Sequence, residues 1–176
     1  MTLALLAACA PSAAPVTPAA AAIPFAPTAS IRELMGAEVD PAADALWESV
    51  LQTVTVAGEQ DRQPRTPAEW EAVRRSALTL VEATNLLIME GRRIAPTDQR
   101  PENWELDPKA AQQRLDTHRA EFTGFALALR RVSLDALAAI DARDASRLFE
   151  AGTSLEEACE ACHLVYWYPP GASAPQ

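Results

Sequence analysis

The chain has 176 residues, enough for one domain with a real core, and carries a formal net charge of −9 with a pI near 4.7. That acidic balance sets nucleic acid aside as a partner, because binding phosphates needs clustered Lys and Arg. Abundant Ala and Leu with only 6 Gly favour an all-α protein, and no apolar run approaches the roughly 20 residues needed to span a bilayer.

Leu6-Ala7-Ala8-Cys9 matches the lipobox that ends the signal of bacterial lipoprotein precursors. On this reading residues 1–8 are a signal remnant and Cys9 is lipidated. The first eight residues hold no Lys or Arg and their apolar run is short, so the expected start of translation lies upstream. The plainer alternative is an apolar N-terminus with a stray Cys. Residues 9–30 place Pro at 11, 15, 18, 24 and 27 among Ala, Ser and Thr, a composition that reads as an extended or disordered tether.

The body reads as four amphipathic helices. The first covers roughly 31–57, with a break at Asp40-Pro41, which reads as an N-cap followed by Pro at the first helical position. Leu46, Val50 and Val54, with Trp47 and Leu51, form its apolar stripe. Residues 58–65 have turn character. Thr66-Pro67-Ala68-Glu69 is a capping box, opening a second helix to Glu90 whose stripe is Trp70, Val73, Ala77, Leu80, Thr84 and Leu87. An ordered loop follows over 94–106. Asp107-Pro108 starts a third helix to about Ile140, with Leu115, His118, Phe122, Phe125, Leu129, Val132 and Ala136 facing inward. Asp141, with Asp144 three residues on, can cap a fourth helix, which Pro169-Pro170 ends. Short connections imply an antiparallel four-helix bundle over 31–168, with 169–176 as a disordered tail.

Cys159-Glu160-Ala161-Cys162-His163 is the most informative run. Cys-x-x-Cys-His is the attachment signal for a c-type haem. Two thiols three residues apart share one side of a helical turn and can form thioethers to the two vinyl groups of one porphyrin. The following imidazole then comes under the ring as the proximal iron ligand. A zinc site would need two further ligands, for which only Cys9 and His118 are of the right type. A thioredoxin-like redox pair would sit beside a strand–helix–strand unit, and no strand pattern is seen.

With Cys159, Cys162 and His163 near the end of its last helix, and Arg32-Glu33-Leu34-Met35-Gly36 in its first, the body resembles the cytochrome c′ family, the class II c-type cytochromes. The resemblance implies a four-helix bundle with one covalent haem c near the C-terminal end of the last helix. It also implies that Met35 matches the distal ligand position of the six-coordinate members. Asp40-Pro41 and the aromatic ending Tyr166-Trp167-Tyr168 depart from the family pattern. In an antiparallel bundle Met89 and His118 also come from the haem end, so the sixth position is open among Met35, none, Met89 and His118. Each has a plainer reading, the methionines as core filler and His118 as a hydrogen-bonded core histidine.

Arg92 and Arg93, at the haem end of the second helix, are candidates to pair with the propionates, or simply basic residues suited to a helix C-terminus. The aromatics at 166–168 are candidates to cover the haem edge, Asn85 is a polar group on the face shared with Met89, and Trp47 and Trp70 read as core. The expected function is that of a membrane-tethered, periplasmic one-electron carrier acting on redox partner proteins, with a homodimer as a further expectation. The alternative is a five-coordinate haem protein that binds NO or CO. No catalytic constellation is seen, and an enzyme is not expected.

Overall fold

The computed structural model describes residues 25–56 and 58–171. Cys9, the signal remnant, most of the tether and the last five residues lie outside them. The described residues are mostly helical, with one small two-stranded sheet.

Ser30 opens the first helix, α1 (Ile31–Leu34), through a complete capping box: its hydroxyl accepts from Glu33 N at 3.2 Å and the Glu33 carboxylate accepts from Ser30 N at 2.8 Å. The chain then makes one π-helical turn over Met35–Val39 and continues directly into α2 (Asp40–Ser49). The expected break at Asp40-Pro41 is therefore absent. In an α-helix the Pro41 ring would meet the carbonyl of Ala37; here Asp40 N bonds instead to Met35 O, five residues back, and the wider turn absorbs the proline.

The first helix also ends sooner than its stripe suggests. Residues beyond Val50 form a hairpin, β1 (Leu51–Thr55) against β2 (Gly58–Arg62), antiparallel with Leu51 opposite Arg62. The run Val50 to Val56 is rich in β-branched residues that suit an extended chain, and Gly58 takes φ +118° at the turn.

Thr66 caps α3 (Pro67–Leu87) with the predicted box, Glu69 N to Thr66 Oγ1 at 3.2 Å. All six predicted stripe residues of α3 are buried. Its C-terminal carbonyls are met by two arginines: Arg92 Nε donates to Leu86 O at 2.6 Å, and Arg119 Nη2 to Ile88 O and Met89 O at 2.9 and 2.7 Å. Arg92 also donates to Ala29 O, fixing the last residues of the tether segment to the helical body. The loop that follows is strapped to α1, where Ile31 N and Arg32 N donate to Arg93 O and Ile94 O.

The third predicted helix is two. Asp107 caps α4 (Pro108–Thr117), and α5 (Arg119–Asp141) begins after a break at His118, φ −126° and ψ 39°. The Thr117 hydroxyl bonds Gln113 O at 2.8 Å and sits 2.8 Å from His118 Nδ1, local bonds that compete with helix propagation. His118 is exposed, not part of the core stripe. Asp144 caps α6 (Ala145–Tyr166), accepting from Arg147 N at 3.0 Å.

These helices enclose one core. α2 packs on α3, α3 on α5, α5 on α6, and α6 closes back on α2. Leu46, Leu80, Leu87, Leu115, Leu148 and Leu155 are its fully buried anchors. Between α2 and α6 the indole of Trp47, half-buried, lies over Gly152 and donates to its carbonyl at 2.9 Å.

Candidate functional site

The capped start of α6 sets its helical phase, and that phase presents Cys159, Cys162 and His163 along one inner side, all half-buried. They line a cavity of about 680 Å³, inside the roughly 300–1,000 Å³ span of cofactor and small-molecule sites. Its other walls come from the π turn and α2 (Met35, Val39, Asp40, Ala43, Asp44, Trp47), from Leu87 of α3, and from Phe122, Phe125, Ala126 and Leu129 of α5. The space exists because three of the wall positions, Ala43, Ala126 and Ala158, carry only a methyl group, where longer aliphatics would fill it. Neither the alanines nor Asp40 and Asp44 stand out in the sequence, because their meeting depends on packing between distant helices.

Both thiols are free. Burial raises them, Cys159 to about 11 with Asp40 and Glu156 adding, and Cys162 to about 12 with Cys159 and Glu121 adding. Protonated thiols facing an apolar cavity lack the thiolate character of a redox pair or a nucleophile. Burial lowers the His163 imidazole, opposed by the charges of Asp40 and Glu160, so the ring is neutral at neutral pH. No hydrogen bond holds either ring nitrogen among the described residues, which leaves a lone pair available to a metal. No group of three or more Cys, His, Asp or Glu forms a metal-ion site among the described residues, so the zinc alternative has no ligand set there.

Of the three distal candidates, Met35 alone lines the cavity. Met89 is turned to Arg92, whose Nη2 lies 3.2 Å from its sulfur, and His118 is exposed beyond the cavity wall. Neither arginine reaches the cavity. Arg92 is buried, with its guanidinium on Leu86 O and Ala29 O, and Arg93 is exposed beside Lys109 and Gln112 in a separate surface pocket. Asn85 is half-buried, bridging Glu82 and Arg130 away from the cavity.

The aromatic ending packs around His163. The rings of Trp167 and Tyr168 stand 6.0 Å from the imidazole, and their backbone N–H groups both donate to His163 O at 2.9 Å. Tyr166 is buried edge-on to Phe122 at 5.3 Å. Trp167 is held from outside by Arg32, whose guanidinium lies 4.8 Å above its ring. Arg32 Nη1 also lies 2.8 Å from the buried Glu105 carboxylate, and Leu106 N donates to Trp167 O at 2.8 Å. Arg32 thus links the segment that carries Met35 to the segment that carries His163, through Glu105, 73 positions away, and Trp167, 135 positions away, a connection that no local pattern signals.

Glu105 makes this link sensitive to pH. Burial raises its carboxyl, but hydrogen bonds from Arg32 and Glu102 N and the Arg32 charge outweigh burial and hold it below the ordinary glutamate value. A depressed carboxyl adds stability that is complete above the unfolded-state value and is lost as pH falls through the folded one. Glu105→Gln is expected to cost about 2 kcal/mol at pH 7, the scale of hydrogen bonds to a charged group. Urea midpoints should show the gap narrowing as pH is lowered toward 3; a gap independent of pH would assign the loss to packing instead.

The chain matches no protein-family model, no curated protein and no solved structure in the three comparisons.

Proposed function

We propose that this chain is a monohaem c-type cytochrome acting as a one-electron carrier. Cys159 and Cys162 supply the thioethers, His163 the proximal ligand and Met35 the distal one. The observation that carries the reading is that the Cys-x-x-Cys-His run and Met35 line one cavity of cofactor size, walled otherwise largely by apolar side chains. The closed circuit of helices fits the antiparallel four-helix bundle of the cytochrome c′ class. The location of a π turn at Met35 also favours a site there, since such turns recur at functional positions.

Held by His163 and Met35, a haem here would supply a low-spin iron of raised potential suited to exchanging one electron with little rearrangement. The protein's own part is to hold and shield. Trp167 and Tyr168 fix the His163 backbone and pack its ring, while Val39, Leu87, Phe122, Phe125 and Leu129 exclude water. Lipidation at Cys9 would hold the carrier at a bacterial membrane, facing the periplasm, where tethering raises its effective concentration toward membrane-bound partners. The chemistry carried out is electron transfer, with no enzymatic step assigned.

The deciding experiment is the visible spectrum of the haem-loaded protein, ferric and ferrous, with and without CO. A low-spin spectrum that Met35→Ala turns high spin is expected. A wild-type ferrous form that is already high spin and binds CO readily would replace the carrier reading with the five-coordinate, gas-binding one.

A further inference from the structure

The charges are sharply divided along the chain. Residues 33–61 and 148–176 hold eleven of the 24 carboxylates and none of the 15 Lys and Arg. The remainder, with thirteen carboxylates against all fifteen basic residues, is close to neutral. The first of these stretches contains the π turn and α2, the second nearly all of α6, and the fold packs α2 directly against α6. Sequence segments more than 80 residues apart thus bring their carboxylates together and contribute no Lys or Arg of their own.

The cavity opens through this face. Asp40 and Asp44 from α2 and Glu156 from α6 line the cavity and are also exposed to solvent, so they mark its mouth. None of the three is paired with a basic side chain; the three salt bridges among the described residues lie elsewhere. Among the described residues no Lys or Arg lines the cavity. A partner that approaches the mouth meets an uncompensated negative field, focused by the low-dielectric walls behind it.

We propose that the α2/α6 face is the docking surface for a redox protein presenting a Lys- or Arg-rich face, and that the carboxylates at the cavity mouth steer it onto the site where the electron is exchanged. This rests on the haem reading above for its redox consequence, though not for the binding itself. A partner of like charge is repelled at the same place, so the face selects as well as attracts. Surface charges act over about 10 Å at 0.1 M salt, so the effect belongs to the encounter rate and fades with ionic strength.

Two triple variants remove the same charge from different places. Asp40→Asn/Asp44→Asn/Glu156→Gln neutralises the mouth, and Glu71→Gln/Asp98→Asn/Asp135→Asn neutralises exposed carboxylates on other elements. Reduced haem-loaded protein is oxidised by tripositive tris(phenanthroline)cobalt(III) and by trinegative ferricyanide over a range of salt, after the midpoint potentials are checked. The mouth variant is expected to lose about tenfold in the cobalt rate at low salt, within the 10- to 1,000-fold scale of steering, to gain with ferricyanide, and to converge with wild type at high salt. The other variant is expected to stay within about twofold. Equal losses in both would reduce the effect to net charge and overturn the proposal. A decalysine peptide titrated against the protein by NMR supplies a readout without electron transfer. Shifts concentrated on α2 and α6 are expected, and shifts spread over all helices would overturn the docking surface. If the cysteines carry no haem, the gel and the spectrum reveal it, and the peptide titration still judges the face.

Discussion

Cys159→Ala/Cys162→Ala, produced with a bacterial export and haem-attachment apparatus, is expected to give a protein that loses all haem on a denaturing gel. Wild type is expected to retain it. The argument is geometric. The two thiols are three residues apart on one side of α6, half-buried against the same cavity, and neither forms a disulfide. Removing them leaves no sulfur on the cavity wall except the Met35 thioether, which cannot form a second covalent bond of this kind. His163 remains, so the double variant can still bind haem in its native state, released once the chain unfolds. Each single variant should keep haem through one thioether, in lower yield. Persistent in-gel haem in the double variant would end the attachment reading, and with it the cytochrome.

Leu155→Ala is the largest stability change expected from a single side chain. Leu155 is fully buried on α6, one helical turn before Cys159, in the core shared by all the long helices. Truncation removes its transfer energy and leaves a cavity, together about 2–5 kcal/mol, a large part of a typical 5–15 kcal/mol. At roughly 2–4 °C per kcal/mol for a chain of this size, the melting point should fall by about 10 °C. Leu164→Ala, half-exposed on the same helix, should fall within about 0.5 kcal/mol of wild type. Urea unfolding separates the outcomes, since the midpoint should drop with the slope unchanged. A small loss at Leu155 would mean that α6 is not anchored there.

The features legible in the sequence are those whose cause is local. Thr66-Pro67-Ala68-Glu69 and Asp107-Pro108 announce their helices because a cap and its partner lie within three residues, whereas Asp141, the expected cap of the fourth helix, is the last residue of α5 and Asp144 does the capping. The Cys-x-x-Cys-His run is equally local. The hairpin is hidden in the sequence because Leu46, Val50 and Val54 also satisfy a helical period; there β-branched composition outweighs the stripe. The helix through Asp40-Pro41 carries no sequence signal because the remedy, a π turn, uses five ordinary residues. His118 shows the reverse error: it fits the stripe of a helix that stops beneath it. The contacts of Arg32 and Arg92 span from three to 135 positions, and the cavity depends on which alanines face one another across three helices.

The π turn has one consequence for helix phase. An α-helix advances about 100° per residue, and a π turn acts as a single extra residue inserted without lengthening the chain on either side. Side chains before it are therefore rotated by about that angle relative to those after it. Ile31 and Leu34 can then face the core together with Val39, Ala42, Ala43 and Leu46, while Met35 joins the cavity wall. The proline that demands the turn and the methionine at its start are six residues apart, and the first sets the angle at which the second is presented.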